Sequence, residues 1–135
     1  MQIITIATTK EKGVSDITNL INDLLIKNAY GEGIVHLNVL HTTCCLALGD
    51  MDPGGEEDYI AAYAQIVPKL AYKHPHDPAH FPEHALASLI GQDLSIPVES
   101  ATMFLGEWQK VLIIELNGPR ERRIAVTFIP EPKKL

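Results

Sequence analysis

Two rhythms of apolar residues divide this chain. Residues 2–7 are rich in Ile and Thr and read as a strand. Lys10 to Gly13 form a turn, and Ser15 or Asp16 can cap a following helix. In that helix Ile17, Leu20, Ile21, Leu24 and Leu25 make one apolar stripe. Gly31 and Gly33 close it and open a strand over 34–40, in which Val35, Leu37 and Val39 share a face with His41. Gly49 to Gly55 read as a loop. Tyr59, Ile60, Tyr63, Ile66, Val67 and Leu70 then recur at helical spacing. The acids before them, Glu56, Glu57 and Asp58, suit the positive end of a helix dipole.

Prolines break the stretch from His74 to His84, and Pro82 is a good opening residue for a helix that runs to Gly91. Short strands are expected at 96–98 and 103–105, with a turn at 99–101. Pro97 puts the first at an edge or a strand start. Gly106 bends the chain into a long strand, Gln109 to Leu116. There Val111, Ile113 and Glu115 face one way, and Leu112, Ile114 and Leu116 the other. Asn117-Gly118 reads as a tight turn into an antiparallel return strand over 124–129. The tail, Pro130 to Leu135, is expected to be loose. Strands thus predominate, flanked by helices: an α+β chain.

A length of 135 residues suits one domain with a single core. The net charge of −6 argues against nucleic-acid backbones as partners, yet leaves room for a small phosphorylated ligand at a local basic cluster. Cys44 and Cys45 are adjacent. Neighbours on a strand point apart, so they should not pair, and a reducing cytoplasm is expected. They are expected to be buried and inert rather than nucleophilic. No run of the sequence approaches the ~18 apolar residues of a membrane span, and no membrane role is expected.

The candidate chemistry begins at His41-Thr42-Thr43-Cys44-Cys45-Leu46, where the central strand ends. His41, in line with aliphatic residues, reads either as a core imidazole or as a ligand. His74, His76, His80 and His84 include four of the chain's six histidines, which points to a metal or to a solvated loop. His84 in a first helical turn would be held neutral by the dipole. Glu115, among aliphatics, needs a partner or a shifted pKa. Arg120, Arg122 and Arg123 at a turn can hold a phosphate. The P-loop, the Rossmann glycine pattern, the nucleophile-elbow serine and paired CxxC are absent from the sequence. These pieces are expected to meet, with the turn at Leu105 to Gln109, in one polar cleft.

Taken together, the motifs resemble the YjbQ-like family of secondary thiamine-phosphate synthases. The resemblance rests on His41 to Leu46, Val67-Pro68 with Tyr72 and His74, His84 with Ala87 to Gly91, Leu105-Gly106 with Trp108-Gln109, and Glu115 with Gly118-Pro119-Arg120 and Arg122. It implies a mostly antiparallel, sandwich-like β fold with flanking helices, assembled as a homotrimer with sites near subunit boundaries. It also implies a weak or secondary transferase activity, joining hydroxymethylpyrimidine diphosphate to thiazole phosphate. His41, His74 and His84 would hold a divalent metal, zinc or magnesium, or an anion. His41, Asp50, Asp58 and Glu115 are the candidate catalytic residues, with Asp50 or Asp58 orienting a histidine or serving as base. Thr42, Thr43, Trp108, Gln109, Arg120 and Arg122 would bind the substrate. A metal-dependent phosphate-ester hydrolase and a non-enzymatic metal- or anion-binding trimer are the alternatives. The chain departs from the family pattern at Gly49-Asp50, which replaces an Asn-Glu pair, at Glu107 in place of Thr, and at Ala101 in place of Gly.

Overall fold

The computed structural model describes residues 1–133, so the expectation of a loose end at Lys134 and Leu135 lies outside them. The element order is β1 (Gln2–Ala7), β2 (Gly13–Asp16), α1 (Thr18–Lys27), β3 (Gly33–Val39), β4 (Cys44–Gly49), α2 (Gly55–Tyr63), α3 (Phe81–Ile90), β5 (Asp93–Glu99), β6 (Thr102–Met103), β7 (Lys110–Glu115) and β8 (Glu121–Pro130). A 3-10 turn at Pro78–His80 leads into α3. The described strands form two sheets, in the orders β1-β8-β3-β5-β6 and β2-β7-β4, with antiparallel pairing throughout.

The two sheets face each other across the main core. The five-stranded sheet contributes Val35, Leu37, Ile96, Ile124 and Val126, the small sheet Cys44, Leu46, Val111 and Ile113, and α1 adds Ile21 and Leu25. The other face of the small sheet, with Cys45, Leu112, Ile114 and Leu116, packs against α2 and α3 through Tyr59, Tyr63, Leu86 and Ala87. β7 is therefore covered on both faces, which is why it reads as an unbroken apolar run. Cys44 and Cys45 point into different cores, and burial pushes each thiol up to about 12. Neither is a nucleophile at neutral pH.

Several expectations need correction. The turn read at residues 10–13 leads into β2, which pairs with β7. Asp16 lies in that strand, yet its carboxylate still accepts from the Thr18 amide at 2.9 Å, so it supports the entry to α1. α2 stops at Tyr63, well short of Leu70: Pro68 cannot continue a helix, and Ile66 and Leu70 are left exposed. The expected β7–β8 hairpin does not form. β7 belongs to the small sheet and β8 to the large one, so Asn117 to Arg120 cross between sheets. Gly118 is pressed against the first turn, its amide donating to the Glu11 carbonyl at 2.8 Å. A Cβ there would lie 2.3 Å from the Lys10 carbonyl oxygen, so only glycine fits.

The β5–β6 turn places Ala101 in an unfavourable backbone conformation. Ser100 and Ala101 both have positive φ, 51° and 60°, as a two-residue hairpin turn of right-twisted strands requires. Ala101 pays for its Cβ in that left-handed conformation. Ala101→Gly is expected to stabilise the fold by about 1 kcal/mol in chemical denaturation, while Ala101→Val is expected to destabilise it.

Candidate functional site

Where β3 ends and β8 begins, an open cleft of about 730 Å³ is lined by Leu40, His41, Thr42, Thr43, His80, His84, Asn117, Arg120, Glu121 and Arg122. One of these residues, Arg122, belongs to a buried ion pair. Arg122 projects from β8, Glu115 from β7, and the two side chains are only 2% and 3% exposed. Arg122 Nε donates to Glu115 Oε2 at 2.7 Å, and its Nη2 donates to Glu115 Oε1. The same Nη2 donates to Thr43 Oγ1 at 3.0 Å. Glu115 also accepts from the Thr8 hydroxyl at 2.7 Å and the Asn117 amide at 2.9 Å. Burial alone would raise the Glu115 pKa, but the bonds from Arg122, Asn117 and Thr8 outweigh it and hold the carboxyl below its ordinary value. Glu115 thus has the partner its sequence context demanded. It is tied on both oxygens and holds no proton to give. Arg122, expected as an anion ligand, is already committed to Glu115 and Thr43.

His41 lies just beyond β3, half-buried rather than in the core stripe. Its Nε2 accepts the Arg123 amide at 2.9 Å, and its carbonyl accepts from Gln92 Nε2. Burial and then the charge of Arg122, with smaller effects of Arg123 and Arg120, lower its pKa against the pull of Glu115. The imidazole is neutral, with its lone pair on Nε2 already used. Arg120 is exposed and lines the cleft, its Nε donating to the Asn117 carbonyl at 2.8 Å. Thr42 is exposed there as well.

The histidine-rich loop folds over α3. His74 Nε2 and His84 Nε2 stand 3.2 Å apart, and His74 Nδ1 is buried with no partner. Burial comes first in lowering the His84 pKa, followed by the neighbouring His80 and His74, against a hydrogen bond to the Thr42 carbonyl. The shift runs in the expected direction, but its leading cause is burial rather than the helix dipole. His80 enters the cleft unforeseen, its Nε2 3.2 Å from Asn117 Nδ2 and its Nδ1 3.4 Å from Glu83 Oε2. Its sequence signal was only membership of the histidine run. His76 is exposed.

Four expected site residues are not brought to this cleft. Asp50 lies past the far end of β4, exposed, with its carbonyl accepting from Tyr59. Trp108 and Gln109 precede Lys110, whereas Glu115 ends β7 at the cleft. At about 3.4 Å per residue, that strand separates them by roughly 17 Å. Gln109 Oε1 accepts its own turn's Gly106 amide, and Trp108 is 69% exposed. Asp58 is exposed in the first turn of α2, where its charge suits the helix dipole, and no side chain caps that helix. Among the described residues no three His, Cys, Asp or Glu side chains enclose a cation, so His41, His74 and His84 are not assembled as a ligand set.

A family model described as UPF0047 protein YjbQ-like matches residues 2–131. A UPF0047 protein of Archaeoglobus fulgidus is 32% identical over 124 residues, covering 91% of this chain and 96% of its own length. The UPF0047 protein YjbQ of Salmonella typhimurium is 34% identical over 119 residues, covering 83% and 86%. Among solved structures, a hypothetical protein of Aeropyrum pernix superposes with a TM-score of 0.87 at 27% identity, covering 96% of this chain and 98% of its own. A YbjQ-like protein of unknown function from Sulfolobus solfataricus gives the same TM-score, 0.87, at 26% identity and 96% coverage of each chain.

Removing one partner of the buried pair strands the other. Arg122→Met is expected to cost about 3–5 kcal/mol in urea unfolding, and Arg122→Met with Glu115→Leu to recover part of that loss. A carboxylate with a lowered folded pKa adds stability above the unfolded value and loses it as pH falls through the folded one. Wild-type stability should therefore hold down to the ordinary glutamate value near 4.5 and drop below it, and Glu115→Gln should flatten that dependence.

Proposed function

The chain belongs to the UPF0047 family of YjbQ-like proteins, and from that premise we propose that its cleft is the site of a metal-assisted transferase acting on small phosphorylated substrates, similar in reaction to a secondary thiamine-phosphate synthase. The observation that carries the reading is the meeting of His41, His84 and Arg120 around one open volume of about 730 Å³. That volume is in the usual range for a small-molecule site. In the proposed reaction the thiazole nitrogen bonds to the pyrimidine methylene carbon as the carbon–oxygen bond to the diphosphate breaks. Pyrophosphate leaves with the bonding pair.

The chain's own residues would serve the leaving group. Arg120 donates charge-assisted bonds to the diphosphate oxygens, and the Thr42 hydroxyl adds a neutral donor. Neutral His41, its Nε2 held by the Arg123 amide, would present Nδ1–H as a further donor toward the anion. The pair of Arg122 and Glu115 keeps these groups at fixed positions without lending net charge.

A divalent cation fits part of this arrangement. Two nitrogens bound to one tetrahedral ion at about 2.0–2.1 Å lie roughly 3.3 Å apart, and His74 and His84 present Nε2 atoms at 3.2 Å. These two would hold it. When bound it would supply Lewis-acid stabilisation of negative charge on phosphate oxygens. Asp50, Trp108 and Gln109 can contribute only from another copy. The reading therefore includes a homotrimer with its clefts near subunit boundaries, which would also cover exposed Phe104 and Trp108.

A second reading has one observation in its favour. Arg122 is committed to Glu115, and Glu121 lines the cleft, so a diphosphate would meet few free cations. That weakens the case for turnover of a diphosphate and leaves a non-enzymatic trimer, binding a metal or an anion of smaller charge, as the second reading.

Pyrophosphate release from the two substrates should separate these. His84→Ala, with its circular dichroism unchanged, is expected to lower turnover at least about 100-fold. Arg120→Ala is expected to weaken pyrophosphate binding by calorimetry about 10- to 100-fold. Calorimetric binding of pyrophosphate without turnover in the wild type would favour the binding protein, and unchanged turnover in His84→Ala would remove that residue from the mechanism.

A further inference from the structure

We propose that a recess between α2 and α3, separate from the cleft, binds a small carboxylic acid with an apolar body, its carboxylate held by Lys69 and the Tyr63 hydroxyl. The proposal goes beyond the function proposed above, since among the described residues none lines both the recess and the cleft.

The recess arises from the way α2 ends. The apolar positions of that helix continue past Tyr63, but Pro68 cannot extend it, and residues 64–72 run on as turns and irregular chain. Val67, Lys69 and Leu70 of this segment form one wall. Ile60 and Tyr63 of α2 and Leu86 of α3 form the others, with Ile114 and Leu116 of β7 at the base. The volume is about 540 Å³, within the usual range of a small-molecule site. The irregular wall is held in place. The Tyr72 hydroxyl donates to the Pro68 carbonyl, and the Tyr72 ring packs on Phe81 with centres 5.0 Å apart.

Much of this lining is apolar, and Leu70 on the wall is 65% exposed. An apolar ligand body would take that surface out of water. A hollow walled by several separate chain segments suits a small molecule better than the flat face of a protein partner.

The charges on the rim select the head group. Lys12, Lys69 and Glu83 are the charged residues of the lining. Lys12 Nζ donates to Glu83 Oε1 at 2.9 Å, so those two neutralise each other. Glu83 Oε2 is buried beside His80 Nδ1, at 3.4 Å. Lys69 is exposed and forms no ion pair among the described residues. The Tyr63 hydroxyl is a second donor, without a protein acceptor among the described residues, and burial raises its pKa, so it keeps its proton at neutral pH. One free positive charge beside one neutral donor matches a single carboxylate. A phosphate monoester, with a charge of about −1.5 to −2, would exceed that charge next to Glu83. An ammonium head would be repelled by Lys69.

The test is calorimetry of the full-length protein with decanoate, decan-1-ol and decylammonium, each below its micellar range. Wild type is expected to bind one decanoate per chain, with the alcohol and the amine each at least about 10-fold weaker. Added salt is expected to weaken decanoate and leave decan-1-ol unchanged. Lys69→Gln and Tyr63→Phe are each expected to weaken decanoate about 3- to 10-fold. Neither should move decan-1-ol by more than about twofold, and Arg120→Ala, in the cleft, should leave decanoate within the same margin. The proposal is overturned if wild type binds no decanoate, if decan-1-ol binds as tightly, or if Arg120→Ala costs as much as Lys69→Gln. Leu70→Glu tests the other occupant, a second copy of the chain. Should that variant break the assembly apart in sedimentation, the recess is an interface between copies and the proposal fails.

Discussion

The guanidinium of Arg122 and the carboxylate of Glu115 hold one end of this molecule together. They come from different sheets, and each would be costly to bury alone. Their value lies in what they fix. Thr8 from the first strand's end, Thr43 before β4 and Asn117 after β7 all bond to the pair, so chain segments distant in sequence are held at one point. The cleft is built on that point. A hydrophobic replacement could hold the sheets equally well, but it could not dictate where His41, Arg120 and Asn117 stand relative to one another.

Much of this was legible in residue order, and the failures have physical causes. The alternation in β3 and β7 was readable because each face meets a distinct environment, and Glu115 stood out as the one carboxylate on its face. The hairpin expected at Asn117-Gly118 was misread because a tight-turn signal is local, whereas the choice of sheet is made by partners far along the chain. β2 was missed because a four-residue strand with two exposed positions carries little period. His80 was passed over for a different reason. Nothing in a run of prolines and histidines says which rings a 3-10 turn will face toward a helix. The placing of Asp50, Trp108 and Gln109 at the opposite end of the small sheet follows from strand length, which their motif spacing does not encode.

The resulting picture is of a cleft divided by charge. His80 and His84 line one side, and His41 stands among arginines on the other. That division also gives sense to the burial of Arg122. Its charge is spent on Glu115, which leaves Arg120 as the exposed guanidinium lining the cleft.

The strand order has a temporal consequence. β8 lies between β1 and β3 in the large sheet, and it carries Arg122. The first strand therefore has no edge to join until β8 is in place. The large sheet closes only through pairings more than a hundred residues apart in sequence, which makes its assembly slow and leaves apolar faces uncovered meanwhile.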